Sequence, residues 1–422
     1  MSDQALSARK AAIYLLDQVT EEGRLLTELV HGGALDHLTP PDRARAQRLA
    51  TETLRGLERA DRLLQKHLQK YPPITVRNAL RLGTVEICAM GEASHGVVNS
   101  MVEIVGRDRK YGKLKGLTNA VLRKIVAAGP EAWNELRVPR LPKWLRGPLV
   151  EAWGADAVVE MEKAHFTPAP LDISAKGDAG KVAGNLNGEL LPNGSVRLDE
   201  VGQVSALAGY EDGDWWVQDA AATMPVKLLN LQEGETVLDM CAAPGGKTLQ
   251  AASVRARVTA IDVSKQRLKR VRENLERCKL HAVVKKEDAL KVEGSFDAII
   301  LDAPCSATGT IRRHPDLPHA KTGDNFGELI ELQSQMLEHA LGLLKPGGRL
   351  VYCTCSLLPD EGECQVEEAL ARHDDIELAP LDHDWIEDAW RAPEGGLRLR
   401  PDFWADKGGM DGFYIAVLQR RG

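Results

Sequence analysis

"TVLDMCAAPGGKT" occupies residues 236–248, and how its glycines are read decides both the fold and the ligand. The first five residues are an apolar run carrying an acid near its end, which suits a buried strand. Gly245-Gly246-Lys247-Thr248 then has the form of a phosphate-binding loop. A Walker loop requires Gly-x-x-x-x-Gly-Lys-[Ser/Thr], which needs a glycine at position 241, and that residue is Cys241. Pro244 removes a backbone amide where phosphate donors are wanted. The fingerprint G-x-G-x-x-G of dinucleotide sites is absent too. What remains is a strand, an acid, a tight glycine turn and a helix start. There the backbone approaches a ligand closely without cradling a polyphosphate.

Further short apolar runs follow: "RVTAIDV" (257–263), "FDAIILDA" (296–303) and "GRLVYCTC" (348–355). Helical patterns separate them: "KTLQAASV", "SKQRLKRVRENLERCKL" and "ELIELQSQMLEHALGLL". Strand–helix alternation predicts a parallel, doubly wound α/β sheet over residues 216–422. Such sheets bind ligands beyond the carboxyl ends of their strands. Asp239, Asp262, Asp302 and Cys355 close the four runs and are expected along that rim. An acid about twenty residues after the glycine turn accepts hydrogen bonds from ribose hydroxyls, which is the position of Asp262. Asp239 is placed near a cationic group, and Asp288 of "KKEDAL" near an adenine amine. Cys241, Ala242, Ala243, Pro244, Gly245, Gly246 and Lys247 form the turn itself. S-adenosylmethionine fits: it has a ribose, an adenine and a sulfonium, and no polyphosphate.

"LDAPCSATG" (301–309) and "YCTCS" (352–356) each put a cysteine at a strand end on the same rim. A thiolate is a strong nucleophile. A methyl donor beside cysteines suits methylation of a poor carbon nucleophile such as C5 of a cytosine. A thiolate adding to C6 makes C5 nucleophilic; a base must later remove the C5 proton before the sulfur leaves. Two cysteines, one for attack and one for release, suit that sequence. Asp302 is expected to hydrogen-bond the pyrimidine edge, and Pro304 to fix the loop carrying Cys305. The remaining cysteines are Cys88, Cys241, Cys278, Cys353 and Cys364, a total of seven. An odd count without paired CxxC motifs argues against a disulfide framework and against zinc, so no metal is expected. Cys353 reads as packing.

The front of the chain differs. Residues 1–140 read as an all-α bundle with its own core. Thr39 caps a helix, with Pro40 first and Asp42 as the capping acid. Ala46, Leu49, Ala50, Leu54 and Leu57 form one stripe at three-to-four spacing. "GPEAWNELRVPRLPKW" within 128–144 reads as a connector. Residues 141–215 read as a small α+β linker domain, with one short helix in "LVEAWGADAVVEMEKA". Net charge is −7, yet residues 1–140 hold 22 Lys and Arg against 16 Asp and Glu, leaving 32 against 45 for the rest. A basic front half suggests a nucleic-acid-binding module. Its densest cluster, "RDRKYGKLK" (107–115), offers Arg107, Arg109, Lys110, Lys113 and Lys115 to phosphates. Arg312 and Arg313 of "RRHPD" are further phosphate candidates, and His314 beside them reads as an RNA-backbone contact or a loop residue rather than as a catalytic base. No stretch approaches the ~18 apolar residues of a membrane span, and the N-terminus lacks a secretory pattern. A cytoplasmic, monomeric protein is expected.

The stretches "LDMCAAPGGKT", "LDAPCSATGTIRRHPD", "YCTCSLLPDEGE" and "GMDGFYIAVL" resemble the RNA cytosine-C5 methyltransferases of the Fmu/Sun (RsmB) group. "VQDAAATMPVKLL" (217–229) matches the segment before the cofactor turn in that family. The first 130 residues, with "LTNAVLRKI" near their end, resemble its NusB-like RNA-binding domain. The resemblance covers almost the whole chain. It implies a Rossmann-like catalytic domain, Cys355 as nucleophile and Cys305 as the release residue. It also implies Asp239, Asp262 and Asp288 at S-adenosylmethionine, and 16S small-subunit ribosomal RNA as substrate. The same chemistry on transfer RNA is an alternative. A non-catalytic RNA-binding or antitermination-type protein is another, but it has no use for both thiols and the acid series. Two departures stand out: Ala307 replaces a usual glycine, and "LDIS" (171–174) stands where the family reads "LRVN".

Overall fold

A computed structural model describes residues 3–199 and 201–422. The chain forms two compact units: residues up to Thr167 together with Ile311–Gly323, and Pro168–Thr310 together with Asp324–Gly422. The division expected at 140 and 215 therefore differs from the one found. Helices take residues 143–166 into the first unit, and the short strands after 170 belong to the second.

The first unit is helical: α1 (Asp3–Thr20), α2 (Leu26–His31), α3 (Pro40–Arg55), α4 (Leu57–Gln65), α5 (Ile74–Cys88), α6 (Ser94–Arg107), α7 (Lys115–Asn134), α8 (Lys143–Trp153) and α9 (Ala155–Phe166). Thr39 caps α3 as expected, accepting the Asp42 amide. The stripe Ala46, Leu49, Ala50 and Leu54 is buried. It does not continue unbroken to Leu57, because Gly56 separates α3 from α4. A Cβ there would lie 2.7 Å from the Trp133 ring, so only glycine lets that indole close over the break. The expected connector is partly helical, since α7 runs to Asn134 across a kink at Gly129, where φ is +70°. The single helix expected after 145 is two, divided at Gly154 with φ +82°.

Ile311–Gly323, which carries the short helix α14 (Leu317–Ala320), packs into this unit. Asp316 accepts the Leu26 amide at 2.8 Å, Arg55 donates to the Arg312 carbonyl at 2.8 Å, and the His319 ring meets the Leu54 carbonyl at 3.1 Å. This corrects one expectation. Arg312 is only 1% exposed, so its guanidinium is not at the surface where a phosphate would be met. Burial also pushes the His314 imidazole below its ordinary pKa.

The second unit holds two sheets. The smaller is antiparallel, ordered β2-β3-β1-β4, from β1 (Leu171–Ala175), β2 (Glu189–Leu190), β3 (Val196–Leu198) and β4 (Trp215–Val217), with α10 (Ala179–Leu186) between β1 and β2. The departure "LDIS" lies on β1. Asp172 is fully buried and accepts from Arg197 Nε and Nη2, each at 2.7 Å.

The larger sheet follows α11 (Ala220–Leu228). Its strands are β5 (Thr236–Met240), β6 (Arg257–Asp262), β7 (Val283–Lys286), β8 (Phe296–Asp302), β9 (Leu344–Thr354), β10 (Ile376–Leu378), β11 (Leu397–Leu399) and β12 (Phe413–Arg420). Their order is β10-β12-β9-β8-β5-β6-β7, with β11 also on β12. β9-β8-β5-β6-β7 are parallel, as expected. β12 is antiparallel to β9, so the sheet is mixed rather than wholly parallel. Successive residues of β5 point to opposite faces. Val237 packs with Leu249 and Val271 under α12 (Gly246–Ser253) and α13 (Lys265–Arg277). Leu238 packs with Met336 and Val366 under α15 (Phe326–Gly342) and α16 (Glu363–Arg372). With both faces covered, functional groups gather at the strand ends.

Candidate active site

The opening stretch turns as its composition requires. β5 ends at Met240, and Cys241 adopts φ +63°. The Ala242 amide donates to the Ile261 carbonyl at 2.8 Å, fixing the turn to β6. Gly245 has φ +111°, a conformation that side chains resist. At Gly246 a Cβ would stand 3.1 Å from Gln218, a residue of the segment before β5. Gln218 is held by Ser174 at 2.9 Å and donates to Gln250 at 2.7 Å. That explains why "VQDAAATMPVKLL" precedes the turn: it forms the turn's backing.

Asp239 is fully buried one residue before the end of β5. Thr248 donates to its Oδ2, while Oδ1 has no partner among the described residues. Burial pushes this carboxyl up to about 7. Asp262 ends β6. Its Oδ1 accepts the Ser264 amide at 2.8 Å and lies 2.9 Å from Arg267, and its Oδ2 is likewise without a partner. Buried polar atoms are rarely left unpaired. Two orphaned carboxylate oxygens flanking a glycine turn fit a ligand bearing an ammonium and hydroxyls. Asp288 lies two residues beyond β7 and is half-exposed, its Oδ1 capping a short turn by accepting the Leu290 amide at 3.1 Å.

Asp302 ends β8, the strand beside β5. Its Oδ2 receives Lys247 Nζ at 2.7 Å, and its Oδ1 lies 3.5 Å from Cys353 Sγ. Burial, the largest single influence, would lower the Lys247 pKa, but the Asp302 charge and hydrogen bond together with the neighbouring Cys353 and Asp239 outweigh it, so the net direction is upward and the ammonium stays protonated. Nζ also sits 5.3 Å from the centre of the Phe413 ring. Cys353 is fully buried, with its thiol pushed up by burial first and by Asp302 second. Burial pushes Cys241 up to about 12, which makes it a poor nucleophile.

The two remaining rim cysteines meet. Cys305, in the loop after β8, and Cys355, one residue beyond β9, place their sulfurs 3.4 Å apart, both partly accessible. The hydrogen bond between the two sulfurs is the main cause holding the Cys355 thiol up, and burial adds to it. Pro304 lies beside them, its carbonyl accepting Gln333 Nε2 at 2.8 Å. Ala307 follows with φ +58°, a left-handed conformation that suits the glycine usual there. Gly309 donates its amide to the Cys355 carbonyl at 2.9 Å and accepts that of Gly412 at 2.8 Å.

The structure therefore brings Asp239, Asp262, Asp302, Lys247, Cys305 and Cys355 to one rim. Sequence reasoning missed Phe413, Gln218, Gln333 and Glu361. All four lie inside stretches quoted above, but only their spatial partners single them out. In the first unit, Arg107, Arg109, Lys110, Lys113 and Lys115 are all exposed. Arg107 pairs with Glu103, and Lys110 lies over the Tyr111 ring at 5.0 Å. Among the described residues no helix is long and apolar enough to cross a membrane.

Residues 226–419 match the family model "16S rRNA methyltransferase RsmB/F", and residues 6–127 match the NusB family. Ribosomal RNA small subunit methyltransferase B of Cronobacter sakazakii is 35% identical over 402 residues, covering 89% of this chain and 92% of that one. The crystal structure of PH0851 superposes with TM-score 0.78 at 23% identity, covering 100% of this chain and 99% of that chain, a likeness of fold. A methyltransferase homolog from Pyrococcus horikoshii gives TM-score 0.56 at 29% identity, over 65% of this chain and 93% of that chain. S-adenosylmethionine is accordingly the cofactor, and the orphaned acids and glycine turn fit it. The chain belongs to the RsmB/F family of ribosomal RNA small subunit methyltransferases, with a NusB domain at its front.

Proposed function

We propose that this protein methylates C5 of a cytosine in 16S small-subunit ribosomal RNA through a covalent Cys355–C6 adduct, with Cys305 serving release. The observation that carries the reading is the 3.4 Å approach of the two sulfurs beside the Lys247–Asp302 pair. Bound S-adenosylmethionine supplies an electrophilic methyl group.

The chain's own residues do the rest. A gap of 3.4 Å leaves no room for a pyrimidine between the sulfurs, so an entering base must part them. Parting breaks the hydrogen bond that most raises the Cys355 pKa, and the nearby Lys247 ammonium favours the thiolate. Cys355 sulfur adds to C6, and Asp302 receives the hydrogen-bonding edge of the ring. Once C5 carries the methyl group, the Cys305 thiolate takes the C5 proton. The C–H electron pair forms the C5–C6 double bond, and the C6–S pair returns to Cys355. Cys305 then loses that proton to solvent. The base must leave its stack first, at a cost of a few kcal/mol. The exposed cations of residues 107–115 supply phosphate contacts for holding the RNA in a cytoplasmic setting.

Cys355→Ala is expected to abolish methyl transfer while cofactor binding stays near normal. Cys305→Ala is expected to leave a protein–RNA adduct that survives a denaturing gel. Normal turnover by Cys305→Ala without adduct refutes the roles. Bisulfite mapping of ribosomal RNA from cells lacking the protein should show one cytosine of the small subunit losing its methyl group. An unchanged small-subunit map refutes the substrate.

A further inference from the structure

Glu361 lies six positions after Cys355 in the sequence, on a short turn (Pro359–Glu361), and is fully buried. An acid with no exposure is uncommon unless its oxygens are satisfied, and the partners here are specific. Its Oε1 accepts the Ser306 amide at 2.8 Å and Gln333 Nε2 at 3.0 Å, and its Oε2 accepts the Ser306 hydroxyl. The same Gln333 nitrogen donates to the Pro304 carbonyl at 2.8 Å. One carboxyl group thus fixes the backbone on both sides of Cys305, on one side directly and on the other through Gln333. The main-chain carbonyl of Glu361 accepts the Tyr352 and Thr354 hydroxyls, each at 3.0 Å. Those two residues are on β9, the strand that delivers Cys355. Glu361 touches neither sulfur, yet it joins both cysteine-bearing segments.

From this we infer that Glu361 is a positioning residue for the release step, a role that rests on the reading of Cys355 as nucleophile and Cys305 as the proton acceptor. A base entering between the sulfurs displaces the Cys305 side chain. The fixed backbone at Pro304 and Ser306 restricts that displacement to side-chain rotation, so the sulfur returns to the C5 proton once methylation is complete. Without the anchor, the Cys305 loop relaxes while Cys355, held by its own strand, still adds to C6. The step that suffers is abstraction of the C5 proton, with its coupled expulsion of Cys355 from C6.

The test uses the full-length protein, a small-subunit RNA transcript and S-adenosylmethionine labelled in the methyl group, read on denaturing gels. Glu361→Ala is expected to accumulate a covalent band carrying label, because its adduct stalls after methylation. A misplacement near 1 Å costs about 100-fold, so kcat should fall by about that much, with KM for RNA changing little. Glu361→Gln keeps an acceptor for the Ser306 amide, and the Ser306 hydroxyl can reverse to accept, so this variant should recover most turnover without the band. If Glu361→Ala fails to fold, as judged by its thermal transition and cofactor binding, Gln333→Ala decides. It frees only the Pro304 side, and a weaker labelled band is expected. A folded Glu361→Ala that turns over normally, or that loses methylation without any labelled band, overturns the inference. Cys305→Ala, run alongside, separates the two levels: if it gives no adduct, the assignment of cysteine roles fails first.

Discussion

Asp239 carries a pH dependence that can be worked out with its sign. Burial raises its carboxyl from 3.8 to about 7 despite the hydrogen bond from Thr248. At 1.36 kcal/mol per unit, the buried carboxylate is disfavoured by on the order of 4 kcal/mol. A raised acid is protonated below its folded pKa, so below pH 7 a cationic ligand must expel a proton before Asp239 can pair with it. Cofactor affinity is therefore expected to rise with pH up to about 7 and then level off, approaching tenfold per unit on the acid side. Calorimetric titration between pH 6 and 8 checks this, and Asp239→Asn should flatten the profile and weaken binding. A profile that is flat in the unsubstituted protein contradicts the assignment. At this scale the acids were readable because each closes a recognisable apolar run. Arg312 was misread because a basic tripeptide looks like surface, and nothing local announces a carbonyl contact with Arg55. Ala307 shows the reverse case. A left-handed residue costs roughly 1–2 kcal/mol for an L side chain, so the departure from glycine is visible in sequence, while its φ of +58° is visible only in space.

Elements were legible where their environment is simple. β5 spans the expected run, and β6 and β8 stop one residue short of theirs, because central parallel strands are buried on both faces and read as apolar blocks between turn residues. β10 and β11 have three residues each, too few for any period to show. β12 is apolar over its first six residues, as a buried helix segment would also be, and only its ladder with β9 settles it. β1 was hidden by Asp172, whose charge suggests solvent until Arg197 is found beside it. The two glycine-bearing loops at the cysteine rim illustrate what only packing reveals. A Cβ on Gly309 would stand 2.1 Å from the Gly412 carbonyl. Gly309→Ala must push apart segments that hold Cys305 and Cys355 in register. It is expected to lower stability by about 1–3 kcal/mol and to slow single-turnover methylation by about 100-fold. Unchanged melting and rate would show the contact to be dispensable.

For the molecule as a whole, charge is divided along the chain rather than averaged over it. The total is −7, yet Arg109, Lys113 and Lys115 are exposed, with no acid paired to them among the described residues. For every phosphate that a side chain no longer neutralises, the log–log salt slope of RNA binding shrinks by about 0.7–0.9. Replacing these three residues with alanine is expected to cut the slope by about two and weaken RNA binding, leaving kcat at saturating RNA unaltered. Filter binding across a salt series measures it, and an unchanged slope removes the cluster from the interface. The overall architecture was legible because the change from helical stripes to strand–helix alternation is coarse. The boundary was not, because α8 and α9 share their composition with a linker.

The excursion of Ile311–Gly323 has a practical corollary for anyone splicing this protein. Adjacency in sequence and membership in a folded body part company there, so no single cut separates the halves cleanly. A hybrid that exchanges everything up to Thr167 between two relatives leaves the recipient's own tongue threading a foreign socket. To swap one body intact, two pieces of gene must travel together.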